Sequence, residues 1–214
     1  MKTNDLISML ARGPIEADAS ATTRRLSLAA AGGLPVVVAA MWVLLGPRHD
    51  LAAAATLPMF WMKFMLPLGL AASLWAAVWQ LARPGERGSA PRLAAICVLV
   101  VFWAAAAFDL ATSPSGARWP MVEGLSALPC VASIALLSLP LLAAMFVALR
   151  GLAPTRLRAA GAAAGALSGS LAALIYAVHC TEMTLPFLAV WYVLGMSVPA
   201  VLGALAGPRL LRWA

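Results

Sequence analysis

The stretch PCVASIALLSLPLLAAMFVALR (129–150), GLAPTRLR (151–158), AAGAAAGALSGSLAALIYAVHC (159–180) decides the fold. Two apolar segments of membrane-crossing length flank a short turn holding Arg156 and Arg158. Read as two helices joined by a cytoplasmic turn, they make an antiparallel hairpin with Cys130 and Cys180 near its far ends. Both thiols then face the same side of a membrane, away from the arginines. Two thiols beside His179 have the makings of a disulfide or of a soft-metal site, which suggests a sensor.

The rest of the chain agrees with a membrane protein. Of 214 residues 63% are hydrophobic and 11% charged, whereas a soluble domain carries roughly a quarter charged residues. The net charge of +7 invites a nucleic-acid reading. The arginines, however, sit between apolar spans rather than on one amphipathic surface, so membrane topology accounts for them and no direct nucleic-acid binding is expected. Three cysteines are too few for a disulfide scaffold. The polar, mixed-charge start is not a cleavable signal peptide.

Six apolar spans are expected at about 27–46, 57–82, 93–111, 125–149, 159–179 and 185–206, each near the ~20 residues that cross a bilayer core. In lipid such spans must be helices, because the backbone has to satisfy itself. The fold class is therefore all-α and polytopic, with six transmembrane helices arranged as three hairpins. Three units follow: a cytoplasmic N-terminal segment 1–26, a membrane domain 27–206 and a short basic tail 207–214. With both termini inside, only Arg48, Lys63 and Arg118 of the 15 basic residues fall in the outer half. Lys2, Arg12, Arg24, Arg25, Arg83, Arg87, Arg92, Arg150, Arg156, Arg158, Arg209 and Arg212 lie inside, so both termini are assigned to the cytoplasm.

Two local patterns are built into the spans. Leu57-Pro58, Leu128-Pro129 and Leu185-Pro186 open the even-numbered helices, with second prolines at Pro67, Pro140 and Pro199. Proline suits a first helical turn and bends an interior one. The fifth helix carries Gly161, Gly165 and Gly169 and then Ala173 at steps of four, a smooth stripe for close helix approach. Packing within the bundle is the favoured use of that stripe over homodimerisation.

No catalytic motif is present: no GxSxG, no phosphate-cradling glycine loop, no HExxH and no buried carboxylate pair. An enzyme is not expected. Residues 1–25 begin with Thr3 or Asn4 as a helix cap and place Leu6, Ile7, Met9 and Leu10 mainly on one face. Two readings stand for this segment: a helix on the membrane surface or a loose tail, and a docking segment for a soluble partner. Lys63, the one basic residue within a span, either snorkels to the outer headgroups or pairs with Asp109. Cys97 is expected to be a small buried apolar residue. Cys130 and Cys180 are either two unconnected thiols or a redox or metal pair, with His179, Glu182, His49 and Asp50 on the same side as further ligands.

The whole chain resembles the NrsF family, bacterial inner-membrane anti-sigma factors with six spans. The matching residues are Met1-Lys2-Thr3-Asn4-Asp5-Leu6-Ile7, Phe60-Trp61-Met62-Lys63, Cys130, Leu139-Pro140, Ala153-Pro154-Thr155, Tyr176, His179-Cys180 and Trp191-Tyr192. The resemblance implies that an extracytoplasmic-function sigma factor is held at the membrane, away from core RNA polymerase. A stress signal, metal or oxidant, then releases it. It implies residues 1–25 as the main sigma contact, Asp5 among them, with the basic inner loops as a secondary one. It also implies Cys130 and Cys180 as the family's cysteine pair, with no resident cofactor beyond a transient heavy-metal ion at that pair. The competing classes are a small transporter, which should carry polar residues at mid-membrane, and a structural membrane subunit without a soluble partner.

Overall fold

A computed structural model of the chain describes residues 19–83, 88–152 and 154–212. The expectations for Thr3, Asp5, Leu6, Ile7, Met9 and Leu10 lie outside these residues. The described residues form helices and no strand. Six helices are long and apolar enough to cross a membrane: α1 (Ala19–Leu44), α2 (Pro58–Leu81), α3 (Ala90–Thr112), α4 (Ala127–Arg150), α5 (Leu157–Tyr176) and α6 (Leu185–Leu210). Short helices at Leu51–Ala54 and Ser115–Glu123 connect the longer ones.

Local chemistry sets most helix ends. Pro58, Pro91 and Pro186 stand in first turns, where a missing N–H costs nothing. The amides of Leu45 and Gly46 both donate to the Met41 carbonyl, and Gly46 closes α1 at φ +70. Helix α6 has a π-helical turn at Leu188–Tyr192. Such a turn leaves a carbonyl without its usual partner. Here Ala189 O accepts from Trp103 Nε1 of α3 at 2.9 Å.

Helix α5 is the centre of the bundle, packed against α6, α2, α4 and α1. The pairing differs from three consecutive hairpins. Helices α5 and α6 are the closest pair, but α1 lies chiefly against α4, and α3 against α2. The reason is surface shape: α5 offers small residues to several neighbours, whereas α3 is apolar nearly all round and lies at the edge. Leu28, Trp42, Val43, Phe108, Val147 and Leu205 point outward around the bundle. In water so much apolar surface would drive aggregation; a bilayer covers it.

Helix boundaries also move. The first helix begins at Ala19 rather than 27, because hydropathy reports bilayer thickness, not where hydrogen bonding starts. Its polar first turns are held: Thr22 and Leu26 are buried, and Trp79 Nε1 donates to Thr23 Oγ1 at 3.1 Å. The fifth helix stops at Tyr176, three residues before the expected end at 179, and residues 177–180 turn inward. Cys97, expected inside, is exposed on the outer face of α3, because that helix has neighbours along only part of its surface.

Candidate functional site

The segment 177–184 between α5 and α6 forms a strap bonded to several other elements. The Arg48 amide donates to Val178 O at 3.3 Å, and His179 Nδ1 bonds Gly46 O at 2.7 Å. A carbonyl only accepts, so this nitrogen of His179 carries the proton. Glu182 Oε1 accepts from the Leu125 amide at 2.8 Å and from Ser126 Oγ at 3.1 Å, tying the strap to the start of α4. Thr184 Oγ1 donates to Met121 O at 2.8 Å.

This strap carries Cys180 into the bundle. Cys180 is 2% exposed, and Cys130, in the first turn of α4, is fully buried. Both are free thiols. Two tyrosines wall the compartment they share. The hydroxyl of Tyr176, at the end of α5, lies beside the Cys130 thiol. That of Tyr192, from the π-helical turn, lies beside the Cys180 thiol. The two rings are 6.1 Å apart between centroids. The Tyr192 hydroxyl is buried without a hydrogen-bond partner in protein. Both thiols are shielded from solvent, so any chemistry here depends on access.

Lys63 belongs to the same compartment. It is fully buried and donates from Nζ to Cys180 O at 2.6 Å, with the Phe60 ring centroid 5.6 Å away. It does not snorkel. A backbone carbonyl held within reach inside the bundle replaces the headgroups as its partner. It forms no ion pair with Asp109; among the described residues the ion pair is Arg48–Asp50.

Arg48 meets Asp50 through two hydrogen bonds of 2.6 and 2.7 Å, and its Nη1 reaches Cys180 O at 3.4 Å. The bonds to Asp50 raise the pKa of the Arg48 guanidinium, and the same bonds hold the exposed Asp50 carboxyl below the usual range. A cavity of about 270 Å³ opens here, lined by Arg48, His49, Asp50, Ser126, Tyr176 and His179. Tyr176 lines it and also neighbours Cys130, so one side chain borders both the cavity and the buried thiols.

The donor set for a metal is dispersed. His179 is bonded to Gly46, Asp50 to Arg48, and Glu182 to the start of α4. Among the described residues no three His, Cys, Asp or Glu side chains gather to hold a metal ion. Cys130 and Cys180 are brought into one compartment, and His179 is turned away to Gly46.

Below this compartment α5 and α6 touch backbone to backbone. A methyl group on Gly161 would overlap Gly203 O, and one on Gly165 would overlap Pro199 O. Gly169 faces Pro199 and Met196. The stripe on α5 is thus used within the bundle. Its counterpart on α6, Gly195, Pro199, Gly203 and Gly207, repeats at the same step of four. Sequence reading passed over it because a proline interrupts the glycines.

The opposite end of the bundle is arginine-rich. Arg25 occupies the space a side chain at Gly151 would need, Arg150 Nε donates to Leu210 O at 2.7 Å, and Arg83 stacks on Trp79 at 4.5 Å. The start of α1 and the end of α6 therefore lie at the same end as the 151–158 turn. The described acids Asp50, Asp109, Glu123 and Glu182 all belong to the Cys180 end.

Comparison with known proteins gives this arrangement a family. The profile of the NrsF family, described as "Negative regulator of sigma F", matches residues 10–213. This chain belongs to the NrsF family. It is 42% identical over 213 residues to a probable anti-sigma-F factor NrsF from Azospira oryzae, covering all of both chains. It is 43% identical over 221 residues to an anti-sigma-F factor NrsF from Caulobacter vibrioides, again covering all of both. No solved structure matches it. The buried compartment of Lys63, Cys130, Tyr176, Cys180 and Tyr192 is thus a feature of an NrsF-family bundle.

Proposed function

We propose that this chain is a negative regulator that holds a sigma factor of the extracytoplasmic-function class at the bacterial inner membrane. The observation that carries this reading is its full-length similarity to two proteins named as anti-sigma-F factors. The arginine-rich end faces the cytoplasm, as the positive-inside rule requires, with both termini there. Residues 1–26 are the main sigma contact, with Thr3, Asp5, Leu6, Ile7, Met9 and Leu10 as the docking set and the basic turns beside them. Neither a transport pathway nor a purely structural role is favoured. Lys63, the buried intramembrane charge, is engaged by a backbone carbonyl rather than lining an open channel.

Release follows a thiol-directed stress. An oxidant takes two electrons and two protons from Cys130 and Cys180 to leave a disulfide, or a thiophilic heavy-metal ion displaces their protons and bridges them transiently. His179 joins such a site only by leaving Gly46. Either product pulls the strap toward α4, and the α5–α6 seam carries that shift toward the arginine-rich end. The coupling needed is modest, of order 1–3 kcal/mol.

The test is purification in mild detergent from the native host, followed by identification of the soluble protein that comes with it. Deletion of residues 1–18, which leaves the described bundle whole, should remove a stoichiometric sigma factor. A sample without sigma factor in either form overturns the regulator reading. A Cys130→Ser, Cys180→Ser protein that still releases sigma under oxidant or heavy-metal stress overturns the sensing step alone.

A further inference from the structure

At the arginine-rich end a cavity of about 210 Å³ lies between α2, α3 and the start of α5. Ala77, Leu81 and Ala159 give it an apolar lining, and Gln80, Arg92 and Arg156 give it a polar one. Both guanidinium groups are exposed. Neither has an ion-pair or hydrogen-bond partner among the described residues, and the described carboxylates lie at the far end of the bundle. Gly88 borders the cavity and leaves room for the Gln80 amide, which a larger side chain there would displace.

Positive residues beside a span set orientation and need no specific site. Two guanidinium groups without a partner among the described residues, both lining a concave, half-apolar cavity at the membrane boundary, are a different arrangement. We propose that this cavity binds the phosphodiester headgroup of an anionic phospholipid. Arg92 and Arg156 donate to the phosphate oxygens, as planar guanidinium groups do well. The Gln80 amide bonds the headgroup, and the acyl chains run past Ala77 toward the bilayer core. Basic pockets between membrane helices are suited to this ligand class. Trp79, adjacent on α2 and stacked against Arg83, is an aromatic side chain at the same depth, where headgroups lie.

The experiment uses the full chain, purified and stripped of lipid in detergent. Phosphatidylglycerol or phosphatidylcholine is titrated in, with retained lipid read by native mass spectrometry and unfolding temperature read in parallel. One phosphatidylglycerol should be retained and should raise the unfolding temperature, while phosphatidylcholine does neither. Arg92→Gln with Arg156→Gln should weaken retention by roughly tenfold or more, the scale of losing two charge-assisted hydrogen bonds. Gln80→Glu, which adds repulsion and leaves both arginines in place, should also weaken it. Arg24→Gln with Arg158→Gln removes the same charge outside the cavity and should retain lipid as the wild type does. Equal loss in that control pair overturns the site in favour of general surface charge. Displacement of the lipid by inorganic phosphate at comparable concentration overturns the lipid assignment in favour of a free anion.

Discussion

Lys63 Nζ in α2 donates a 2.6 Å hydrogen bond to the carbonyl oxygen of Cys180, 117 residues later in the chain. A buried ammonium is costly to desolvate, and a single neutral carbonyl offsets that cost incompletely. Lys63 therefore contributes more to the position of the strap than to net stability. Lys63→Met removes a bond worth about 1.5–3 kcal/mol but also relieves the buried charge. The net loss should stay below about 2 kcal/mol, a few degrees in unfolding temperature. Labelling of Cys180 by a small maleimide should accelerate, since only the 3.4 Å contact from Arg48 then holds its carbonyl. Asp109→Asn should leave both readouts unchanged. A matching response from Asp109→Asn would mean that the lysine depends on that carboxylate after all.

The α5–α6 seam predicts a ranking among glycines. Gly165→Ala puts a methyl group into the Pro199 carbonyl, which cannot turn aside. The helices must separate, at a cost of about 1–3 kcal/mol or more. Gly169→Ala meets Pro199 Cγ at 2.8 Å and Met196 O at 2.9 Å, a milder overlap with a smaller loss. Gly32→Ala meets nothing within 4 Å and should be neutral or slightly stabilising, since alanine favours helix by roughly 1 kcal/mol. Thermal unfolding in one detergent orders the three. Equal effects at Gly165 and Gly32 would contradict the backbone contact.

These two relationships differ in how legible they were. Small residues at steps of four are a local signal, so the stripe on α5 can be read directly from Gly161, Gly165 and Gly169. Spans also announce themselves, because twenty apolar residues have few other uses. The acceptor for Lys63 has no such signature, since every residue owns a carbonyl and only the fold decides which one a lysine meets. The short turn at 150–158 placed Cys130 and Cys180 at one end. Their burial was not visible, because it depends on a strap held by three separate stretches: Gly46 and Arg48 after α1, Lys63 of α2, and Leu125 and Ser126 before α4. Extra helix at 19–26 was missed for a related reason: the polar turns are held by Trp79 of α2, not by their own hydropathy.

Asp50 makes the cavity mouth sensitive to acid. Its carboxyl pKa is held below the usual value of 3.8 by the hydrogen bonds from Arg48. A depressed carboxyl stabilises the fold fully above its unfolded pKa and loses that contribution as pH falls through the lower, folded value. The pair is exposed, so its effect should be small and weakened by salt. Wild-type protein should thus lose a little stability as pH falls below about 3.8, and Asp50→Asn should lack that component. Unfolding temperatures of both proteins across this range, at low and high salt, check the point. An identical acid response in Asp50→Asn would assign the titration elsewhere.

Tyr192 presents a buried hydroxyl with no hydrogen-bond partner in protein, in the neighbourhood of Cys180. An unsatisfied buried hydroxyl costs about 1–3 kcal/mol, so its retention asks for a reason other than stability. Tyr192→Phe keeps the ring that packs near Tyr176 and removes only the polar atom. The unfolding temperature should hold or rise, by an amount corresponding to as much as about 1 kcal/mol. If the hydroxyl is kept for Cys180, the same variant should change the rate at which that thiol reacts, measured with Cys97 and Cys130 replaced by serine. Stability and reactivity would then part company, as expected for a group that serves the site and not the fold. A clear fall in unfolding temperature would instead show that the hydroxyl is satisfied in solution, for example by water entering from the cavity beside Tyr176.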